Sequence, residues 1–117
     1  NRKAMHDLAI AYAQGMGVEK NPQEAARWFS GAAQLGYVDS QFDLAVLYER
    51  GEGVPQNESD ALKWYLIAAG RGDAQSAERA QFLRKDMKPD AAALATRQAA
   101  SFVPQPAGAS ANEVADP

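Results

Sequence analysis

A 36-residue segment of this chain occurs twice in succession, and the two copies keep their spacing without a gap. Trp28 corresponds to Trp64, and the same shift relates Gly17 to Gly53. The residues of the first copy that recur unchanged include Leu8, Ala9, Tyr12, Gly15, Gly17, Val18, Ala25, Trp28, Ala32, Ala33 and Gly36. A self-similar period of roughly 20 to 50 residues is typical of a stacked solenoid. We therefore expect a residue that recurs at this period to build the repeat rather than to perform chemistry.

Each copy has the pattern of two short helices. Apolar residues at helical spacing predict a first helix over residues 3–14. Gly15 and Gly17 end it, because glycine supplies the positive φ that a helix C-cap and a tight turn need. Asn21 and Pro22 then have the residue types of an N-cap and a first helical position. The pattern indicates an antiparallel helical hairpin, which must stack on a neighbour to bury both faces.

The chain divides into two full repeats and a degenerate end. The repeats cover residues 1–36 and 37–72, and residues 73–102 keep helical spacing but lose the tyrosine and the glycine loop. We predict an all-α solenoid with capping helices over 73–102 and a disordered tail or linker over 103–117. The apolar positions expected to pack in the capping helices are Ala77, Ala80, Leu83, Ala91, Leu94, Ala95, Ala99 and Phe102.

Composition excludes several classes of function. The chain has no cysteine, so disulfides, thiolate metal sites and a cysteine nucleophile are absent, which leaves the compartment undecided. A net charge of −3 argues against nucleic acid as a partner, since phosphate binding needs a concentrated basic surface. No apolar run approaches the roughly 18 residues that span a bilayer. We expect any signal or membrane anchor to lie in a longer protein of which this chain is a part.

The glycine loops and the single histidine are the first candidates for chemistry. Gly15-Met16-Gly17 follows no predicted strand and leads into no Gly-Lys-Ser/Thr motif, so turn geometry is favoured over a phosphate loop. One histidine, His6, supports neither a histidine metal site nor a Ser-His-Asp triad. We predict a polar structural role for His6 and no catalytic, cofactor or metal site.

Acidic and aromatic residues offer two further alternatives. Carboxylates around the second loop could form a paired-acid site, but helix capping and solubility account for most of them. Aromatic residues of the second helices could form a ligand box, yet at repeat spacing they are expected in the core. The acids are Glu49, Glu52, Glu58 and Asp60, and the aromatics are Trp28, Phe29, Trp64 and Tyr65.

The pattern Leu-Ala-x-x-Tyr-x-x-Gly-x-Gly-Val, followed by Ala-x-x-Trp-aromatic-x-x-Ala-Ala-x-x-Gly, resembles Sel1-like repeats, which are relatives of tetratricopeptide repeats. It covers residues 4–72 in two full copies. The resemblance implies a right-handed superhelix of helical hairpins that serves as a non-enzymatic protein-interaction scaffold. Some cysteine-rich members are linked to penicillin or peptidoglycan chemistry, which leaves a cell-wall enzyme as an alternative. The absence of cysteine and of a Ser-x-x-Lys motif argues against it.

Three stretches, residues 1–6, 21–29 and 36–42, carry a closer resemblance to the periplasmic repeat region of the alphaproteobacterial polar organelle development proteins. That resemblance implies the envelope-facing part of an inner-membrane polarity factor at the cell pole, with a cytoplasmic location as the alternative. The implied partner is another protein or a peptide segment. A peptidoglycan- or glycan-binding envelope module is the second class of function.

By analogy with tetratricopeptide solenoids, the first helix of each unit lines a concave groove with the face opposite its Leu/Ala/Tyr stripe. An apolar floor with a mixed-charge rim is the composition of a peptide or helix groove. The residues predicted to form this partner-binding groove are Lys3, His6, Ile10, Gln14, Asp39, Phe42, Val46, Glu49, Arg50, Gln75, Glu78, Phe82 and Lys85.

Overall fold

The structure is a computed structural model that describes residues 1–105. Its six helices are α1 (Arg2–Gln14), α2 (Pro22–Gln34), α3 (Val38–Arg50), α4 (Glu58–Gly70), α5 (Ala74–Asp86) and α6 (Pro89–Ala100). The described residues contain no strand, which confirms the all-α class. Within the same residues, no helix is both long and apolar enough to cross a membrane.

The helix ends lie where side chains or glycines satisfy free backbone groups. The Asn21 side chain accepts a hydrogen bond from the N–H three residues ahead at 3.1 Å, and Asn57 does the same in the second repeat at 3.0 Å. Pro22 occupies the first turn of α2, where its missing N–H costs nothing. Gly15 and Gly51 end α1 and α3 in the left-handed region, with φ of 71° and 73°. The repeat period therefore fixes the helix lengths through its caps.

Stacked hairpins form the body of the molecule. α1 packs on α2 and α3 on α4, and α2–α3 and α4–α5 contacts join successive units. Phe29, Trp64 and Tyr65 are buried, as predicted, among alanines that let the helices approach closely. Trp28 is only half-buried but packs against this core. The result is the predicted solenoid.

The C-terminal end departs from the hairpin pattern. α5 stacks on α4, whereas α6 turns back and packs along α4 rather than along α5. The rings of Phe102 and Trp64 meet edge to face with centroids 5.4 Å apart. Residues 103–105 have no regular secondary structure, and the Gln105 N–H donates to the Gln34 carbonyl at 2.8 Å. The chain thus returns to the first repeat, and the remainder of the predicted tail, 106–117, lies outside the described residues.

The packing stripe of the end unit differs from the prediction. Ala77 is exposed, and the buried position beside it is Ser76 at 0% exposure. Leu94 was also expected to pack but is 42% exposed. The reason is that α5 and α6 each pack mainly against α4, so that only a narrow stripe of each helix is covered. That stripe contains Ala80 and Leu83 on α5 and Ala95 on α6.

Candidate functional site

The 36-residue shift arranges the predicted groove residues in rows across α1, α3 and α5. The rows are Lys3, Asp39 and Gln75; His6, Phe42 and Glu78; and Ile10, Val46 and Phe82, with Gln14, Glu49, Arg50 and Lys85 toward the ends of the helices. We call the surface formed by these residues the A-helix face, because they lie on the first helix of each unit, which is α1, α3 or α5. Because each row takes one residue from each helix, a partner lying across the units would meet a different side chain at each of them.

A pocket of about 290 Å³ lies on the A-helix face, where α1, α3 and the start of α5 meet. Four predicted groove residues share it with two acids that were not predicted. Its lining residues are His6, Asp39, Phe42, Asp43, Asp73 and Gln75. The volume is below the roughly 300 to 1,000 Å³ of sites for drug-sized ligands, and it suits a single long side chain.

His6 is held firmly at the edge of this pocket. Its Nδ1 lies 2.7 Å from the Ser40 hydroxyl, and its ring packs against Phe29 and Tyr37 with centroids 5.5 Å and 5.1 Å away. Its Nε2 is 4.0 Å from an Asp43 carboxylate oxygen. The imidazole therefore joins α1 to α3 and orients one wall of the pocket.

Asp43 is the acid in the pocket with the most unusual environment. Its side chain is only 32% exposed, and it lies between His6 on α1 and Asp39 on its own helix. Burial raises the pKa of the Asp43 carboxyl above its ordinary value of 3.8, Asp39 raises it further, and His6 opposes the change. Burial disfavours the charged form because the carboxylate loses water without gaining a full cationic partner.

A second cluster on the same face is built around Glu49. The Tyr65 hydroxyl donates to Glu49 at 2.7 Å, and Arg79 forms an ion pair with the other carboxylate oxygen. The Arg79 guanidinium also stacks over the Phe82 ring, 4.8 Å from its centroid. Burial, followed by the hydrogen bond to Glu49, raises the pKa of the Tyr65 hydroxyl. Glu49 and Phe82, two predicted groove residues, are thus joined through Arg79.

The predicted apolar floor is divided between core and surface. Ile10, Phe42 and Val46 are half-buried and pack against the core, and the Phe42 ring meets Tyr65 at 5.7 Å. Phe82 is 58% exposed. Phe82 is therefore the apolar member of the floor most available to a partner.

The charged rim is largely open to solvent. Lys3 pairs with Asp7 at 3.2 Å and Arg50 with Glu52 at 3.7 Å, both at the surface. The other exposed members of the predicted set are Gln14, Asp39, Gln75, Glu78 and Lys85. Exposed pairs of this kind add little to stability, so these side chains are free to exchange partners.

The glycine loops have the geometry of turns. Gly17 and Gly53 have φ of 78° and 73°, as predicted. The described residues hold no group of three or more His, Asp or Glu side chains placed to bind a metal ion.

The Sel1 repeat family model matches residues 2–37 and 38–73, in register with the two copies found in the sequence. The chain belongs to the Sel1 repeat family. Proteins of this family generally act as protein–protein interaction scaffolds, and the fold is typically non-catalytic. No match was found among curated proteins.

Two solved structures show the same fold as this Sel1 repeat chain. One is c5321, a protective antigen of uropathogenic Escherichia coli strains with an SLR fold, 24% identical over 99% of this chain at a TM-score of 0.84. The other is a Sel1 repeat protein from Oxalobacter formigenes, 33% identical over 69% of this chain at a TM-score of 0.68. This chain spans 25% of the first and 61% of the second.

Three residues of the site in this Sel1 repeat chain escaped the sequence analysis. Asp7, Asp43 and Arg79 occupy the same position of successive repeats. That position directly follows the one that holds Phe42 in the second repeat. Asp73 has the signal of a helix N-cap, and it does cap α5 by accepting from the Ser76 N–H at 3.0 Å. A comparison of each groove row with its next neighbour along the helix would have found Asp43 and Arg79.

Proposed function

We propose that this Sel1 repeat chain is a non-enzymatic binding module for another protein, and that a segment of the partner lies on the A-helix face. The observation that carries the proposal is the exposure of Phe82 on the face that also holds the pocket. Large apolar side chains exposed next to a concave surface are typical of interaction sites. An aromatic anchor of this kind is often worth about 2 kcal/mol or more in a protein interface.

Site-specific photocrosslinking tests which face is used. A photoreactive phenylalanine analogue would replace Glu78 on the A-helix face, or Gln98 on α6 as a matched exposed control. In envelope extracts we expect crosslinked protein at Glu78 and none at Gln98. Crosslinks at Gln98 alone would place the interaction on α6 rather than on the A-helix face.

Peptidoglycan or another glycan is the second candidate ligand, and it rests only on family analogy. Sedimentation with purified peptidoglycan separates the two functions. We expect the chain to stay in the supernatant. Pelleting that persists after Phe82→Ala would favour the glycan-binding function over a protein groove.

We further propose that the chain works in the periplasm, as the envelope-facing part of a polarity factor that resembles the polar organelle development protein PodJ. The sequence resemblance over residues 1–6, 21–29 and 36–42 supports this proposal. Fusion of the native protein to alkaline phosphatase, which is active only in the periplasm, tests the compartment, and a fluorescent fusion tests polar accumulation. An inactive phosphatase fusion, or fluorescence spread evenly around the cell, would contradict it.

A further inference from the structure

The charge of the pocket on the A-helix face indicates what kind of partner segment it accepts. Its walls carry the carboxylates of Asp39, Asp43 and Asp73. Within residues 1–105, no Lys or Arg nitrogen lies within 4.0 Å of any of these carboxylates. The pocket is therefore negative, and the described part of the chain supplies no basic partner to it.

Asp73 and Asp39 each stabilise the N-terminus of a helix, whereas Asp43 does not. Asp73 caps α5, and Asp39 lies in the first turn of α3, where a negative charge is favourable. Asp43 lies one turn further into α3 and is two-thirds covered. Among residues 1–105, the His6 imidazole at 4.0 Å is the only basic side chain within that distance of its carboxylate. Partial burial of an uncompensated carboxylate is unfavourable for folding alone. A cation supplied by a partner would offset that cost.

The floor of the pocket and its surroundings further limit which chemical group of a partner could bind there. The carboxylates do not converge into a group that could hold a metal ion. Phe42 lines the pocket, and an aromatic ring favours a guanidinium or ammonium group near its face. One turn beyond Phe42 on α3 is Val46, and the same repeat position on α5 is the exposed Phe82. An acidic pocket is thus followed by an apolar row on a single face.

We propose that the A-helix face binds an extended segment of a partner protein in which an Arg or Lys enters the pocket against Asp43 and a nearby aliphatic or aromatic residue packs on Phe82. This inference rests on the proposed function, because it names the chemistry of the segment that the proposed groove would hold. Charge-assisted hydrogen bonds from a guanidinium to carboxylates give both strength and orientation.

An oriented peptide library tests the proposal. Pools of octapeptides, each with one residue type fixed at one position, would be immobilised and probed with the labelled 117-residue chain. We expect pools with a fixed Arg or Lys, combined with an aliphatic or aromatic residue, to bind best. Fluorescence anisotropy on the best single peptide then measures affinity, and Asp43→Asn should weaken it by about tenfold or more, as the loss of a charged hydrogen bond does.

The repeat supplies a matched control. Asp7 holds the position of Asp43 one repeat earlier but is exposed and outside the pocket, so Asp7→Asn should leave the affinity unchanged. Asp39 is an exposed residue of the same pocket, so Asp39→Asn should also weaken binding. Thermal melts would confirm that all the variants fold. Selected peptides without a basic preference, or equal affinities for Asp43→Asn and Asp7→Asn, would overturn the inference while leaving the proposed groove intact. If no pool of any chemistry binds, both the groove and the inference fail.

Discussion

Gly53 lies directly against the main-chain carbonyl of Pro22, so the glycine loop of the second repeat packs on the start of α2 in the first. Gly17 occupies the same position of the first repeat, but a side chain there would meet open space. The two glycines share a φ above 70° and differ in their surroundings. Gly17 is constrained by turn geometry alone, whereas Gly53 is constrained by geometry and by contact between repeats.

Alanine substitution should separate these two constraints. We expect Gly17→Ala to cost about 1 kcal/mol, from the strain of a positive φ, and Gly53→Ala to cost about 2 kcal/mol or more because the added methyl also collides with backbone. Gly70→Ala is the matched control, since Gly70 is helical with free space around it and should be neutral or stabilising by about 0.5 kcal/mol. If urea denaturation shows the same decrease in the free energy of unfolding for both variants, the contact between Gly53 and Pro22 does not contribute to stability.

Truncation of the two groove phenylalanines should affect folding and binding differently. Phe42 packs on Tyr65, so Phe42→Ala should lower the free energy of unfolding by about 2 kcal/mol. Phe82 is mostly exposed, so Phe82→Ala should change stability by less than about 0.5 kcal/mol while it weakens partner binding. Denaturation curves and anisotropy on the same samples check both. A large loss of stability in Phe82→Ala would assign that ring to the core.

The hydrogen bond between Tyr65 and Glu49 should be measurable on its own. Tyr65→Phe keeps the ring contact with Phe42 and leaves Glu49 paired with Arg79, so the expected loss is about 1 kcal/mol. Tyr12→Phe serves as the control, because the Tyr12 hydroxyl makes no hydrogen bond within residues 1–105. If both variants unfold at the same urea concentration as the parent chain, the bond to Glu49 makes no net contribution.

Asp43 should make stability depend on pH in an unusual direction. The pKa of Asp43 in the folded state lies above the ordinary 3.8, so the folded state binds the proton more tightly than the unfolded state does. The stability contributed by the protonated acid is therefore lost as the pH rises from 3.8 through the raised pKa of the folded state. Asp43→Asn removes the buried negative charge and should therefore raise the melting temperature at neutral pH. The gain should disappear below pH 3.8, where the Asp43 carboxyl of the parent chain is itself protonated. Melts from about pH 3 to about pH 7 test this, with Asp7→Asn as the control. A stabilisation that is the same at every pH would point to a cause other than titration of Asp43.

The strap formed by residues 102–105 should hold α6 on the body of the solenoid. Phe102→Ala removes the ring that packs on Trp64 and should cost about 2 kcal/mol. Val103→Ala is the neighbouring control, because Val103 is 76% exposed. Hydrogen exchange should accelerate across α6 in Phe102→Ala and not in Val103→Ala. Unchanged exchange in both would mean that α6 is held by its contacts with α4 alone.

The candidate site was predictable only in part. Residues that build the A-helix face follow from the repeat register, so His6, Asp39, Phe42 and Gln75 could be assigned to one surface before the structure was known. The pocket itself could not be predicted, because Asp73 reaches it from the loop before α5. Nor could the sequence separate Phe42 from Phe82, because similar positions are buried or exposed according to the helices that cover them.

Features that depend on local, repeated interactions could be predicted from the amino-acid sequence alone. Caps such as Asn21 and turns such as Gly17 act within a few residues, and two copies in register reveal the family and the stacked hairpins. Three features required the folded chain: the packing of α6 on α4, the hydrogen bond from Gln105 to Gln34, and the charge of the pocket. These features arise at the end of the stack or between helices distant in the chain, where no repeated neighbour dictates the contact. Periodicity specifies an interaction only where the next repeat is present to make it.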